Sequence, residues 1–305
     1  MKKTIICLIG PTAVGKTEVG LKLARQLSAE IISCDSMQIY KGLDIASSKP
    51  TSFQRKQIPH HFIDIVRPSQ EYNAARFRTS AEKAIRQIHK RAKTPLILAG
   101  TGLYLRALLD GLFVGPGQNR TLRNKFQRLA KRYGPSYLYR RLERLDPQAA
   151  GKIHCNDIRR IIRALEVCHL TGEPISKLQT KVRGIRDNYR VCMFGLTRPR
   201  EQLYQRINKR VDQMFKRGLV AEIRKVSRSR LSKTAKSLLG YKEVKGFIDG
   251  ENSHAEAKQL LKRNTRHYAK RQLSWFAKEK DVSWIEITAS GTPTQVAKRI
   301  LRLLA

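Results

Sequence analysis

The sequence predicts an α/β fold, a parallel sheet flanked by helices and interrupted by a helical insertion, and three observations carry the prediction. A Gly-rich loop stands between a strand and a helix at the start of the chain. Apolar, β-rich runs then alternate with helical stretches as far as residue 112. From Thr121 to Thr171 the pattern turns helical and strongly basic, and strand character resumes only at Arg190.

The first element is the apolar run Thr4–Ile9, the length of one buried strand. It leads into Gly10-Pro11-Thr12-Ala13-Val14-Gly15-Lys16-Thr17, after which Val19, Leu23 and Leu27 recur at helical spacing. Strand, then Gly-x4-Gly-Lys-Thr, then helix is a phosphate-binding loop in its required context, and it makes the expected sheet P-loop NTPase-like. The glycines let the backbone wrap a phosphate at close range, and N–H groups at the helix start point at the anion. Lys16 adds a point charge, and the Thr17 hydroxyl is placed to ligate Mg²⁺.

A second strand, Glu30–Ser33, ends in Cys34-Asp35-Ser36-Met37-Gln38, and a helix over Ala74–Arg91 leads to a third strand, Pro95–Ala99, ending in Gly100-Thr101-Gly102. Ligands of open parallel sheets sit outside the C-terminal ends of the strands. The phosphate loop, Asp35 and Thr101 are therefore expected to converge on one cleft. Asp35 there could hold Mg²⁺ or act as a general base on an incoming nucleophile. The Gln38 amide suits an adenine edge. Small residues around Thr101 would let backbone approach a ligand closely, with the Thr101 hydroxyl free to hydrogen-bond it.

Gly111 to Gly117, with Pro116, breaks the alternation. Residues 116–189 are read as a helical insertion domain, and residues 1–115 and 190–305 as the core. A strand at Arg190–Leu196 resumes the sheet, and the helix Arg200–Arg217 follows. Arg206 and Arg210 share a face of that helix and, turned to the cleft, would neutralise a diphosphate leaving group. The long helix Ala255–Lys280 interleaves basic residues with Tyr268, Trp275 and Phe276, the last two read as core, and Val282–Ile287 is a last strand.

Charge narrows the partners. Sixty-two Lys and Arg against twenty-four Asp and Glu give a net charge of +38. Residues 116–190 hold eighteen basic and six acidic side chains and residues 201–280 hold twenty-one and eight, against seven and four in residues 1–50. An excess remote from the phosphate loop suits a polyanion gripped by its backbone. In Asn156 to Glu166, Arg159 and Arg163 share a helical face with Arg160 beside it, a further fit to nucleic acid. Five scattered cysteines, none in a Cys-x-x-Cys pair, argue against a structural zinc site. No apolar run approaches the ~18 residues of a membrane span, so no membrane association is expected and the cytoplasm is the expected compartment.

These segments together resemble the bacterial tRNA dimethylallyltransferases, the isopentenyl-tRNA transferase family. The resemblance rests on Gly10–Thr17, Asp35-Ser-Met-Gln-Ile-Tyr40, Pro59-His-His-Phe-Ile-Asp64, Gly100-Thr-Gly-Leu-Tyr-Leu105, Asn156 to Glu166, Arg206 to Asp212, Gly240 to Glu243 and Thr265 to Gln272, in that order. It implies a prenyltransferase that moves a dimethylallyl group from its diphosphate to N6 of adenosine 37, beside the tRNA anticodon. By the same resemblance, the loop Gly10–Thr17 binds the prenyl diphosphate with Mg²⁺ on Thr17. Asp35 takes the proton from N6, Thr101 hydrogen-bonds the target base, and Arg210, with Arg206 as a weaker partner, holds the diphosphate. Asp35, Ser36, Met37, Gln38 and Thr101 would meet the target nucleotide. Arg123 and the segment Arg159, Arg160, Ile161, Ile162, Arg163 would contact tRNA, the insertion gripping the anticodon stem-loop, and the enzyme is expected to act as a monomer. The chain departs from the family in reading Ala99-Gly100-Thr101-Gly102 where Gly-Gly-Thr-Gly is usual, and Ala46-Ser-Ser-Lys-Pro50 where Gly-Thr-Ala-Lys-Pro is usual. Two rivals share parts of the pattern. A nucleotide kinase has the loop and sheet but no use for basic lobes. An ATP-driven RNA-binding protein needs a second acidic motif, for which Asp64 is a weak candidate.

Overall fold

A computed structural model describes residues 2–113, 115–180 and 182–304. The chain forms two compact units, one of residues 1–109 with 185–305 and the other Asp110–Gly184. The first holds one sheet of six parallel strands: β1 (Thr4–Ile9), β2 (Ala29–Cys34), β3 (His60–His61), β4 (Thr94–Ala99), β5 (Arg190–Thr197) and β6 (Val282–Glu286), in the spatial order β3-β2-β4-β1-β5-β6. β2 is buried at every position and β1 at all but its first, as strands covered by helices on both faces must be. β6, at the edge, exposes three of its five residues.

Register places the site. Ile9 of β1 pairs with Ala99 of β4, and Ala99 pairs with Cys34 of β2. The three residues that follow, Gly10, Gly100 and Asp35, therefore leave the sheet side by side. At about 4.8 Å between neighbouring strands, three loops from distant parts of the chain begin within about 10 Å of one another. The helices behind them are anchored by their own ends. Asn73 caps Ala74–Lys90 through the Arg76 N–H, and Ser253 with Glu256 forms a capping box that starts His254–Phe276.

The helical unit packs Arg120–Tyr133, Pro135–Leu145 and Ile158–Thr171 around Leu122, Phe126, Leu138, Leu142, Ile161 and Leu165. Buried Asp146 caps the short helix Pro147–Ala150 and also accepts both the N–H and the hydroxyl of Ser176, tying the unit's last turn to its middle. The unit starts and ends some five residues before the 116–189 read from the sequence. Gly111 lies against Val182 and Arg183, so both belong with the helices. Tyr189 stacks on His89, and the Arg190 N–H bonds to Lys3, so residues 185–190 belong with the sheet. Among the described residues no helix is long and apolar enough to cross a membrane, and all five cysteines are free thiols.

Candidate active site

The phosphate loop binds its own lysine. Lys16 Nζ donates to the carbonyls of Gly10 and Pro11 at 2.7 and 2.8 Å. Burial pushes the Lys16 ammonium down to about 7, with Asp35 opposing the shift and Arg210 reinforcing it. Two further carbonyls are held from outside. Arg206 Nε donates to Ala13 at 2.8 Å, and Arg198 Nε to Val14 at 3.0 Å, while Arg198 Nη1 reaches Thr288. Among the described residues the N–H groups of Thr12 and Val14 are engaged, by Gln272 and by the Pro11 carbonyl, while those of Gly15, Lys16 and Thr17 have no partner and are the donors an anion there would use.

One cleft beside the loop is lined by Lys16, Thr17, Ser33, Asp35, Gln38 and Gly100, and by His60 of β3. Asp35 Oδ1 accepts the N–H of Met37 at 2.8 Å and, more weakly, that of Gln38 at 3.4 Å, a turn that orients the carboxylate. Oδ2 has no hydrogen-bond partner among the described residues and faces Gly100, where a Cβ would sit 3.0 Å from it. The glycine thus leaves room for the acid. Arg210, half-buried, makes no hydrogen bond or ion pair among the described residues. Burial lowers its pKa, while Asp35 and Glu18 pull it back up. The Thr17 hydroxyl is likewise without a partner there.

Thr101 lies across from Asp35, its hydroxyl accepting the Ser36 N–H at 3.0 Å and donating to the Ser36 hydroxyl at 3.3 Å. Tyr268 sits beside both. Burial and the Asp35 charge push its phenol well above the ordinary tyrosine range, and a bond with Thr101 opposes them. Gln38 turns its amide inward, accepting from Ser33 and donating to Ser47 and Ser48, so it shapes the Asp35 turn. Gly102 is small for a different reason from the one read in the sequence. The Trp275 ring covers it, 2.2 Å from where a Cβ would stand, so the position packs against protein.

The loop after Asp35 is pinned in turn. Glu222 accepts three successive N–H groups, of Asp44, Ile45 and Ala46, at 2.8 to 2.9 Å. The buried ammonium of Lys49 bonds to Tyr40, Asp44 and Asp64. Asp64 is held by Lys49 and Arg55. Burial would raise its pKa, but those two bonds outweigh it and leave the carboxyl below its usual range. A carboxylate so engaged is structural and does not supply the second acidic motif of an ATPase.

The basic residues of the helical unit divide. Glu166, fully buried, accepts Arg123 through Nε and Nη2, Arg163 through Nη1, and the Asn119 N–H, all at 2.7 to 2.8 Å. Burial would raise its pKa, but these donors hold it below the usual range. Ile161 and Ile162 point into the unit's core, 0% and 5% exposed, and do not present a surface to RNA. Helical periodicity, with apolar side chains inward, is the reason. Arg159 and Arg160 are the exposed members of that segment.

Reading the sequence left three residues of the site without a role there. Arg198 follows β5, Tyr268 neighbours Thr101, and Gln272, buried in the long helix, accepts the Thr12 N–H at 2.8 Å and donates to the Gly100 carbonyl at 2.7 Å. Tyr268 was visible as an aromatic among basic residues, and the only signal for Gln272 was its place in the block Thr265 to Gln272.

The family model described as IPP transferase matches residues 38–279. The tRNA dimethylallyltransferase of Halothermothrix orenii is 46% identical over 303 residues, spanning 98% of this chain and 92% of the relative. A crystal structure of the full-length tRNA isopentenylpyrophosphate transferase from Bacillus halodurans is 38% identical with a TM-score of 0.72, covering 100% of this chain and 97% of that one. A eukaryotic dimethylallyltransferase solved while acting on tRNA is 30% identical with a TM-score of 0.81, covering 98% of this chain and 78% of that one.

Proposed function

The chain belongs to the IPP transferase family, and from that premise we propose how its site moves a dimethylallyl group from dimethylallyl diphosphate to N6 of adenosine 37 in tRNA, giving N6-isopentenyladenosine. One observation carries the reading: Asp35 Oδ2, a carboxylate oxygen without a partner among the described residues, stands in the same cleft as Lys16 and within the field of Arg210.

An adenine amino group is a weak nucleophile, so the transfer needs a base and a stabilised leaving group. The diphosphate lies on the unpartnered amides of Gly15, Lys16 and Thr17, with the Lys16 ammonium on its oxygens. N6 attacks C1 of the dimethylallyl group, the C1–O bond breaks, and pyrophosphate departs. Asp35 Oδ2 takes the proton that N6 loses. Arg210 and Lys16 face the charge that develops on the departing oxygens, where fixed cations in a dry cleft act most strongly. Thr101, already bonded to Ser36, would hold the base edge beside Asp35.

The oxygen donors fit Mg²⁺. Among the described residues no group of three His, Cys, Asp or Glu could hold a metal, and the Thr17 hydroxyl is free. Mg²⁺ commonly keeps several waters and binds through one protein oxygen together with substrate phosphates. Thr17 would hold it, and its charge would help neutralise the diphosphate. Exposed cations of the helical unit, Arg159 and Arg160 among them, would grip the anticodon stem-loop by its phosphates, as an A-form stem requires. A monomer working in the cytoplasm completes the reading.

The test mixes labelled dimethylallyl diphosphate, Mg²⁺ and unmodified tRNA without ATP. Label should pass into RNA, and Asp35→Asn should slow it by about 10³-fold while tRNA still binds. Transfer that depends on ATP, or an Asp35→Asn enzyme with full turnover, overturns the proposal.

A further inference from the structure

Gln272 stands apart from every role assigned so far. It is 6% exposed, on the helix His254–Phe276, and neither atom of its amide is idle. Oε1 accepts the Thr12 N–H from the phosphate loop, and Nε2 donates to the Gly100 carbonyl at the end of β4. The two partners are 260 and 172 residues away in sequence. They belong to the two halves of the site, the loop that seats a diphosphate and the turn that carries Gly100 and Thr101.

The neighbouring bonds make this a chain of fixed positions. Gly100 and Thr101 both donate their N–H groups to the Cys34 carbonyl, immediately before Asp35. Gly100 also abuts Asp35 Oδ2, and a Cβ there would lie 3.6 Å from Gln272 Nε2. Moving the amide of Gln272 therefore moves Gly100 against the carboxylate on one side and Thr12 within the loop on the other. Because the Thr12 N–H is donated to Gln272, this amide is not one of those that face an anion.

We propose that Gln272 is a positioning residue that locks the diphosphate loop to the Gly100–Thr101 turn, setting the distance between the departing phosphate and the base before either substrate arrives. The inference rests on the reaction assigned above. A glutamine suits the task because one planar group offers a donor and an acceptor at fixed separation. The Gly100 carbonyl is buried and would otherwise be unpaired, and the Thr12 N–H is part-buried. Misplacing reacting groups by about 1 Å can cost about 100-fold in rate, so the effect belongs in the chemical step.

Two variants test it. Gln272→Met keeps the volume and removes both bonds. Gln272→Glu keeps the acceptor for Thr12, loses the donor to Gly100, and regains a donor when protonated. Each is measured for kcat and KM with dimethylallyl diphosphate and unmodified tRNA, for pyrophosphate affinity by calorimetry, and for melting temperature. We expect kcat to fall about 100-fold in Gln272→Met, with pyrophosphate and tRNA affinities within about threefold of wild type, as loss of alignment without loss of binding demands. The Gln272→Glu deficit in kcat relative to wild type should narrow as the pH falls, at pH values where its melting curve shows the enzyme fully folded, a condition under which a merely structural lesion would leave no deficit to narrow. A folded Gln272→Met enzyme with kcat within twofold of wild type overturns the inference. So does a Gln272→Glu deficit that stays constant with pH, and this arm stands even if Gln272→Met fails to fold. If wild type itself transfers no label, the assigned reaction fails and not the lock.

Discussion

Around the phosphate loop, Arg198 and Arg206 donate to backbone carbonyls and Arg210 has no bonded partner among the described residues, whereas in the helical unit Arg123 and Arg163 both close on the carboxylate of Glu166. The first set keeps its positive charge available, because a carbonyl orients a guanidinium without neutralising it. The second set is neutralised in place and stabilises a buried acid. A count of basic residues treats the two alike. What separates them is the partner, and the partner decides whether an arginine acts on a ligand or on the fold.

The comparison predicts opposite failures. Arg210→Gln should lower kcat by about 10²–10³-fold, as loss of a fixed charge at a leaving group does, with no fall in melting temperature. Arg123→Gln should instead destabilise the helical unit by about 3 kcal/mol, because it leaves Glu166 buried with one guanidinium fewer. Denaturant melts and initial rates on both variants check this. A destabilised Arg210→Gln or a fully stable Arg123→Gln would erase the distinction.

Protonation sharpens it. Without ligand, Lys16 is held near 7, below the ordinary 10.5, so the unfolded chain binds the extra proton between those values and the fold gains stability as pH rises through that window. A bound diphosphate restores the charge. Pyrophosphate affinity should therefore fall as pH rises above about 7, by up to roughly tenfold per unit, with proton uptake seen by calorimetry in buffers of different ionisation enthalpy. Lys16→Met should bind weakly and lose that uptake. Glu166 runs the other way. Its folded pKa lies below the usual 4.5, so its contribution is present above the unfolded value and lost as pH falls through the folded one. Acid should loosen the helical unit, and Glu166→Gln should flatten that pH dependence.

The smallest effect belongs to the exposed arginines. Arg159→Gln or Arg160→Gln should weaken tRNA binding a few-fold and lower the slope of log affinity against log salt by about 1, with melting unchanged. A salt slope identical to wild type would remove that residue from the RNA surface.

Much of this was legible in the chain, for physical reasons. β1, β2 and the central residues of β4 and β5 are buried on both faces and so appear as apolar runs, and Gly-x4-Gly-Lys-Thr has one mechanical use between a strand and a helix. Asp35 and Thr101 were placed by topology, since a parallel sheet gathers the residues that follow its strands. Other parts left no local mark. β3 is two histidines, His60 and His61, and the helices Leu219–Ser227, Tyr241–Ile248 and Pro293–Leu304 were not recognised. Gln272 and Arg198 act through partners remote in sequence, and a polar residue on a helix looks the same whether it meets water or a buried amide. Ile161 and Ile162 stand among arginines, and only the turn of the helix tells which way each side chain faces.

Gly100 has a consequence of its own. One added methyl group at this position would ask the Asp35 oxygen to retreat by a few tenths of an ångström while leaving the sheet intact. A library screened for expression would tolerate alanine there, and the same library screened for prenylated RNA would discard it. The codon therefore separates selection for being folded from selection for being an enzyme.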